Sequence, residues 1–178
     1  DKEFARCASI DGDLARLECF DQLAKKYKLN APQPQAVSPT KSKWDVSVKV
    51  NPIDDSKTVT LILEADSGKG RWGKSIYLVA RCLSNKTDLY IGWNDYLGSK
   101  ANVLTRIGSK KASTSRWSMS TDKKATFHNA PIPFLKDMMT ADKLIAQVTP
   151  YNESPVTAVF DTAGLPEAIK PLKETCHW

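Results

Sequence analysis

The spacing of apolar residues changes once along the chain, from a helical period to a strand period. In residues 1–29 apolar side chains recur every three or four positions, as on one side of an amphipathic helix. The run Asp11-Gly12-Asp13 is typical of a turn followed by an acidic N-cap, so a second helix is expected to begin there. This segment therefore predicts a hairpin of two short helices.

From Trp44 onward the apolar pattern has a period of two. Val46, Val48 and Val50 alternate with polar residues, which predicts a strand with one buried face. Similar short runs follow, separated by polar turns. The predicted strands cover residues 44–50, 59–63, 76–82, 88–93, 102–107, 116–120, 125–128, 143–151 and 157–161.

The order of these elements predicts an α+β protein. Short strands joined by polar turns are typical of an antiparallel sandwich or a barrel-like sheet. A short helix is predicted over residues 133–140, and a final helix begins at Pro166, a residue suited to a first helical turn. We expect an antiparallel β-sandwich-like domain with a packed C-terminal helix, preceded by the disulfide-linked helical hairpin.

Residues 30–43 have the composition of a linker. They contain three prolines and few large apolar residues, so they cannot bury enough surface to fold alone. The predicted organisation is a helical hairpin in residues 1–29, a proline-rich linker in residues 30–43, and a β-rich domain in residues 44–178.

The placement of the four cysteines bears on the cellular compartment. Cys7, Cys19, Cys82 and Cys176 show neither CxxC spacing nor a histidine at metal-ligand spacing. An even, dispersed set is typical of an exported protein with two disulfides. We expect Cys7–Cys19 across the hairpin and Cys82–Cys176 between sheet and final helix, although four cysteines allow three connectivities. Export also implies a signal peptide that this chain lacks.

Charge and hydropathy narrow the choice of partner only slightly. The formal net charge is +6, and it is dispersed along the chain. A solvated surface is the favoured interpretation, with attraction to an anionic cell-wall polymer or an acidic partner as the alternative. The sequence lacks the basic stripe and known modules of nucleic-acid-binding proteins. It also lacks an apolar run long enough to predict a membrane span.

Few residues could carry out catalysis. The two histidines, His128 and His177, lie far apart in sequence, and neither Gly-x-Ser-x-Gly nor His-Glu-x-x-His is present. Two disulfides would also leave no thiolate. The sequence therefore predicts no catalytic residue, no metal site and no cofactor.

One tryptophan differs from the others in its surroundings. Trp72 lies in a polar loop next to Arg71, and such a pair is typical of an exposed anchor for a sugar or a protein partner. The Asp95-Tyr96 region is a second candidate anchor. The tryptophans expected in the core are Trp44, Trp93 and Trp117.

Several motifs occur in an order that resembles a known family. They are LVARCLSNKT (78–87), LYIGW (89–93), VLTRI (103–107), WSMSTD (117–122), TPY (149–151), AVFD (158–161), GL (164–165) and CHW (176–178), with Cys7 and RLECFD (16–21) near the start. Together they resemble the TagO/VasI/EvfG proteins associated with the type VI secretion system. The resemblance covers nearly the whole chain and implies a periplasmic accessory that is not part of the contractile tube or sheath. It supplies no catalytic residues.

Within these motifs one set of side chains is polar for a strand-rich core. Its members are Arg81, Thr87, Trp93, Arg106, Trp117, Ser120 and Asp122. They could form a buried hydrogen-bonded network or a ligand-facing patch. The network is favoured because a buried arginine near an aspartate satisfies both groups.

Three functions follow, in order of preference. The first is a non-enzymatic periplasmic accessory of type VI secretion that binds another envelope component, a secretion component or peptidoglycan. The second is a periplasmic inhibitor of a cell-wall hydrolase, similar to lysozyme inhibitors, with the loop at Arg71-Trp72 or Asp95-Tyr96 as its anchor. The third is a peptidoglycan hydrolase that uses His128.

Overall fold

A computed structural model describes residues 2–10, 12–27 and 42–178. The chain divides into two compact units, Asp1–Pro39 and Thr40–Trp178. Most of the predicted linker, residues 30–41, lies outside the described residues.

The N-terminal unit is a pair of helices linked by a disulfide. The helices are α1 (Lys2–Ala8) and α2 (Asp13–Lys26). Cys7 and Cys19 form the predicted disulfide, with their Cα atoms 5.5 Å apart. The Tyr27 hydroxyl donates a hydrogen bond to Glu3 Oε2 at 2.7 Å, which joins the start of α1 to the end of α2. The disulfide and this contact hold together two helices that are too short to be stable alone.

The second unit consists mainly of antiparallel strands. They are β1 (Asp45–Val50), β2 (Lys57–Lys69), β3 (Ser75–Leu83), β4 (Lys86–Gly92), β5 (Ala101–Ile107), β6 (Ser113–Met119), β7 (Ala125–Phe127), β8 (Lys143–Val148) and β9 (Val156–Asp161). The helices are α3 (Pro131–Met138), α4 (Leu165–Ala168) and α5 (Lys170–Cys176). None of the helices among the described residues is both long and apolar enough to cross a membrane.

Eight of these antiparallel strands close into a barrel, so the barrel-like alternative is correct and the favoured sandwich is not. The order is β2-β3-β4-β7-β6-β5-β8-β9, and Ser67 of β2 pairs with Val159 of β9 to close the ring. Closure depends on the length of β2, whose pairing with β3 is irregular between Glu64 and Lys69. Within that irregular stretch, at Ser67, the strand pairs with β9. Gly68 permits the approach, because a Cβ atom there would lie 2.2 Å from the Thr157 carbonyl oxygen.

β1 lies outside the closed ring and pairs with β2 alone among the described strands. Val46 lies opposite Leu61 and Val48 opposite Val59, so the valines of β1 share the core-facing side of the sheet. Nevertheless, every residue of β1 is exposed. The predicted half-buried strand is therefore only half correct: the strand exists, but the core extends beneath β2 and not beneath β1.

The core fills the barrel, and helices close one end of it. Inward-facing side chains such as Leu78, Ile91 and Phe160 are fully buried. α4 and α5 pack Leu165 and Leu172 into the same core. The predicted single C-terminal helix is divided into these two because proline at the start of α5 has no N–H to continue the hydrogen-bond series.

The Cys82–Cys176 disulfide fixes this helical end. Its Cα atoms lie 5.9 Å apart, and it joins β3 to α5 as the sequence predicts. Because the strands alternate in direction, the opposite end of the barrel is formed by four connecting loops. These are the β2–β3 (70–74), β4–β5 (93–100), β6–β7 (120–124) and β8–β9 (149–155) loops, which we call the loop end.

Candidate functional site

Backbone hydrogen bonds join three of the four loops. The β4–β5 loop is tied to the β6–β7 turn, since Leu97 N donates to the Lys123 carbonyl oxygen at 2.9 Å. It is also tied to the β8–β9 loop, since Tyr151 N donates to the Tyr96 carbonyl oxygen at 2.9 Å. The backbones of these three loops are therefore tied to one another.

The β2–β3 loop packs directly on the end of β4. A Cβ atom at Gly70 would lie 2.1 Å from the Trp93 carbonyl oxygen, so only glycine fits at this approach. Asn94 adds a side-chain bond, with Nδ2 donating to the Ser75 carbonyl oxygen at 2.6 Å. These contacts place the two candidate anchors of the sequence analysis, Arg71-Trp72 and Asp95-Tyr96, on adjacent loops.

Three exposed aromatic side chains gather on the loop end. Trp72 is 84% exposed, Tyr151 61% and Tyr96 43%. The two tyrosine rings are in edge contact, with centroids 5.9 Å apart. We call Trp72, Tyr96 and Tyr151 the aromatic rim. It offers flat apolar area of the kind that protein interfaces bury.

Trp72 occupies an unusual backbone conformation. Its φ and ψ are 62° and 28°, in the left-handed region that bulky residues rarely adopt. A tight turn holds it there, with Gly70 N donating to the Lys74 carbonyl oxygen at 2.8 Å. The Arg71 guanidinium lies 5.4 Å from the centre of the indole ring. The prediction that Trp72 is exposed is confirmed.

The exposed charge of the loop end is mainly basic. Its four loops contain five basic and three acidic residues. Two of the acids are occupied internally: buried Asp95 accepts from Tyr96 N at 2.8 Å, and Asp122 accepts from the Ser120 hydroxyl at 2.5 Å. The Ser120 bond lowers the pKa of Asp122. Arg71 remains exposed beside the aromatic rim.

Tyr151 was not predicted as a site residue. In sequence it is an aromatic residue inside a polar turn, the same signal that marked Trp72. Its relation to the other rim residues depends on the pairing of β8 with β5 and β9, which the local pattern does not reveal. Packing at Gly98 positions the ring, because a Cβ atom there would lie 3.1 Å from Tyr151 Cδ2.

The seven polar residues of the predicted network contact several different partners. The hydrogen-bonded pairs, at 2.9–3.1 Å, are Arg81 with Asp88, Trp178 with Thr87, Trp93 with Thr126, Arg106 with Lys110 and Trp117 with Ser115. Within the set, Ser120 and Asp122 bond to each other in the β6–β7 turn. Three of these six contacts (those of Arg81, Thr87 and Trp93) join separate parts of the barrel unit, and the other three are local. A shared role for all seven residues remains a prediction.

His128 lies in an aromatic cluster. Its ring centroid is 4.7 Å from that of Trp117 and 4.5 Å from that of Phe134. Burial lowers the pKa of His128, and Nδ1 accepts a hydrogen bond from Ala130 N at 3.0 Å. These contacts favour a neutral ring. Across the described ranges, no group of three or more histidine, cysteine or acidic side chains is placed to hold a metal ion.

The fold and the loop end define a disulfide-bonded β-barrel, capped by helices at one end and carrying an aromatic, basic surface at the other. The sequence model of a family described as "Type VI secretion system VasI, EvfG, VC_A0118" matches residues 6–178. The chain therefore belongs to this family of type VI secretion system-associated proteins, as its motifs predicted. No curated protein and no solved structure matched the chain.

Proposed function

We propose that this protein is a non-enzymatic, periplasmic accessory of the type VI secretion system that binds another envelope component of that machine through its aromatic rim. The observation that carries the proposal is Trp72, an 84% exposed indole on a rigid turn with Arg71 over its ring. Tryptophan, tyrosine and arginine are the residues that most often dominate the free energy of protein–protein binding.

The rim favours binding because it is already ordered. The hydrogen bonds and glycine contacts of the loop end fix the positions of Trp72, Tyr96 and Tyr151 before any partner arrives. A rigid surface loses less conformational entropy on binding than a flexible one. Arg71 and its basic neighbours favour a partner that presents carboxylates next to an apolar patch.

The disulfides support the proposed location. The Cys7–Cys19 and Cys82–Cys176 bonds use all four cysteines. Such bonds persist in oxidising compartments and are rare in the cytosol. Cell fractionation, with thiol labelling of the chain in intact cells, tests the location separately from binding.

The test of binding is affinity capture from cells that express the secretion genes, followed by measurement of Kd with each purified component that is captured. Trp72→Ala should weaken binding about 30-fold, the loss expected for a dominant interface residue. Leu83→Ala is the matched control, because Leu83 is also an exposed apolar side chain but lies at the helical end of the barrel.

Two results would overturn the proposal. One is a folded Trp72→Ala variant, judged by near-ultraviolet circular dichroism, that binds the captured component as tightly as the unsubstituted chain. The other is the capture of no secretion component at all. Sedimentation with purified peptidoglycan distinguishes a cell-wall ligand from a protein partner.

A second candidate function is inhibition of a cell-wall hydrolase. The observation that favours it is the shape of the β2–β3 turn, which presents Arg71 and Trp72 at the tip of a hairpin where they could enter an enzyme cleft. A lysozyme activity assay with increasing amounts of the protein tests this function. Inhibition that Trp72→Ala abolishes would favour it over the accessory role.

A further inference from the structure

β1 is an edge strand whose second edge has no partner among the described residues. It is six residues long, contains no proline, and exposes every side chain, including Val46, Val48 and Val50. Proteins usually protect such an edge, because an unpaired strand is a template for pairing with another strand. The exposed valines also lie on the same side of the sheet as the buried Val59 and Leu61 of β2.

The sequence of β1, Asp-Val-Ser-Val-Lys-Val, is complementary to itself when two copies run antiparallel. If Ser47 lies opposite Ser47 of a second copy, each Asp45 lies opposite a Lys49. On the other side of the sheet each Val46 then lies opposite a Val48. Residues directly opposite in an antiparallel pair share a face, so both the charges and the valines match in this register.

Neighbouring registers match less well. A shift that places Val48 opposite Val48 keeps the valines together but sets Asp45 against Asn51 and Lys49 against Ser47. A shift by a single position would set valines against polar residues, because the side-chain period of a strand is two. Charge complementarity therefore selects the register centred on Ser47.

We infer that two copies of this chain form a twofold-symmetric dimer by antiparallel pairing of their β1 strands, centred on Ser47. The pairing satisfies the free backbone edge, forms two Asp45–Lys49 ion pairs and covers part of the valine stripe. A twofold axis requires the same strand on both subunits, which β1 supplies. This inference is independent of the function proposed for the aromatic rim, which lies at the other end of β2.

Charge exchange tests the dimer. Sedimentation equilibrium of the full chain, at concentrations up to about 500 μM because small interfaces bind weakly, should show a monomer–dimer equilibrium. Asp45→Lys and Lys49→Asp each turn two attractive pairs into two repulsive ones, so each should raise the dimer Kd about tenfold or more at low salt. The double variant Asp45→Lys/Lys49→Asp restores both pairs and should return Kd to within about threefold of the original.

Both substituted side chains are exposed, so these variants should fold, and melting temperature checks that they do. Lys111→Asp, at an exposed position in the β5–β6 loop, is the control for a change of net charge and should leave Kd unchanged. A chain that remains monomeric over the whole concentration range overturns the inference, as does a double variant that dissociates as readily as the single ones.

Discussion

Trp72 combines two unfavourable features in one residue. A left-handed backbone at a bulky residue is strained by about 1–2 kcal/mol. An exposed indole also leaves a large apolar surface in water. Neither feature stabilises the barrel. Gly70 and Gly73 flank the turn, which could form equally well with a small polar residue in place of Trp72. The burial of Trp72 on binding, which we propose above, would account for both features.

His128 gives a prediction for the pH dependence of stability. Burial lowers its pKa below the ordinary value of 6.5, so the folded protein resists protonation of this ring. As pH falls through 6.5 the unfolded chain binds a proton that the folded chain does not, and the free energy of unfolding must decrease. Each pKa unit of depression corresponds to about 1.4 kcal/mol. Denaturant titrations between pH 8 and pH 5 measure the slope, which should be shallower in His128→Gln.

The two proteins are compared by the slope of unfolding free energy against pH. The absolute values would mislead, because His128→Gln also removes ring contacts and so lowers stability at every pH. His177→Gln, at an exposed position, controls for the loss of an imidazole. If His128→Gln and the unsubstituted chain lose stability in parallel below pH 6.5, the proposed linkage is wrong.

At the scale of elements, the sequence predicted the positions of the strands better than it predicted which of their side chains are buried. Alternation identified β1, but its valines proved exposed because burial depends on what lies beneath the sheet. The Arg71-Trp72 anchor was predicted from its polar neighbours, whereas the rim as a surface was not. The rim depends on contacts such as Gly70 against Trp93, between loops that are not consecutive in sequence.

The Gly70 contact predicts the effect of a single methyl group. Gly70→Ala would place Cβ 2.1 Å from the Trp93 carbonyl oxygen, so the β2–β3 loop must move away from β4. We expect a loss of about 1–3 kcal/mol in the free energy of unfolding and weaker binding by the rim. Denaturant unfolding and the binding assay for Trp72→Ala measure the two effects.

Gly73→Ala is the matched control for this loop. Gly73 has φ of 71°, and a Cβ atom there would meet no other atom within 4 Å, so alanine adds backbone strain without a clash. Gly73→Ala should therefore lower the free energy of unfolding by about 1 kcal/mol. Gly70 has φ of −77°, which any residue can adopt, so its loss should come from the contact alone. A Gly70→Ala variant that is no less stable than Gly73→Ala would contradict the predicted clash with the end of β4.

For the whole molecule, the local pattern could not give the strand order. β4 pairs with β7 and β5 with β8, and both pairings bring together strands that are distant in sequence. The same alternating strands fit a sandwich or a barrel. The deciding feature is that β2 pairs with β3 along most of its length and with β9 in its irregular segment. That second pairing depends on Gly68 and not on hydrophobic periodicity.

The Cys82–Cys176 disulfide gives a prediction at this scale. Its ends are 94 residues apart, so in the chain-entropy model its removal costs up to about 4.7 kcal/mol. Unfolding of Cys82→Ala/Cys176→Ala in guanidinium should show a much lower midpoint for the barrel. Cys7→Ala/Cys19→Ala is the control, because that disulfide lies within the N-terminal unit. A barrel midpoint that falls equally in both variants would contradict the prediction.

Barrel closure also constrains when the chain can fold. A polypeptide that emerges from a ribosome or a translocation channel presents β2 and Cys82 early, but their partners β9 and Cys176 arrive last. β1 and β3 can pair with β2 soon after they emerge, but the stretch of β2 around Ser67 lacks its pairing with β9 until that strand arrives. In the meantime Cys82 can mispair with Cys7 or Cys19, which emerge before it. Pairing between distant strands is intrinsically slow. We therefore expect chaperones and a disulfide isomerase to assist the nascent chain during the interval before its last strand emerges.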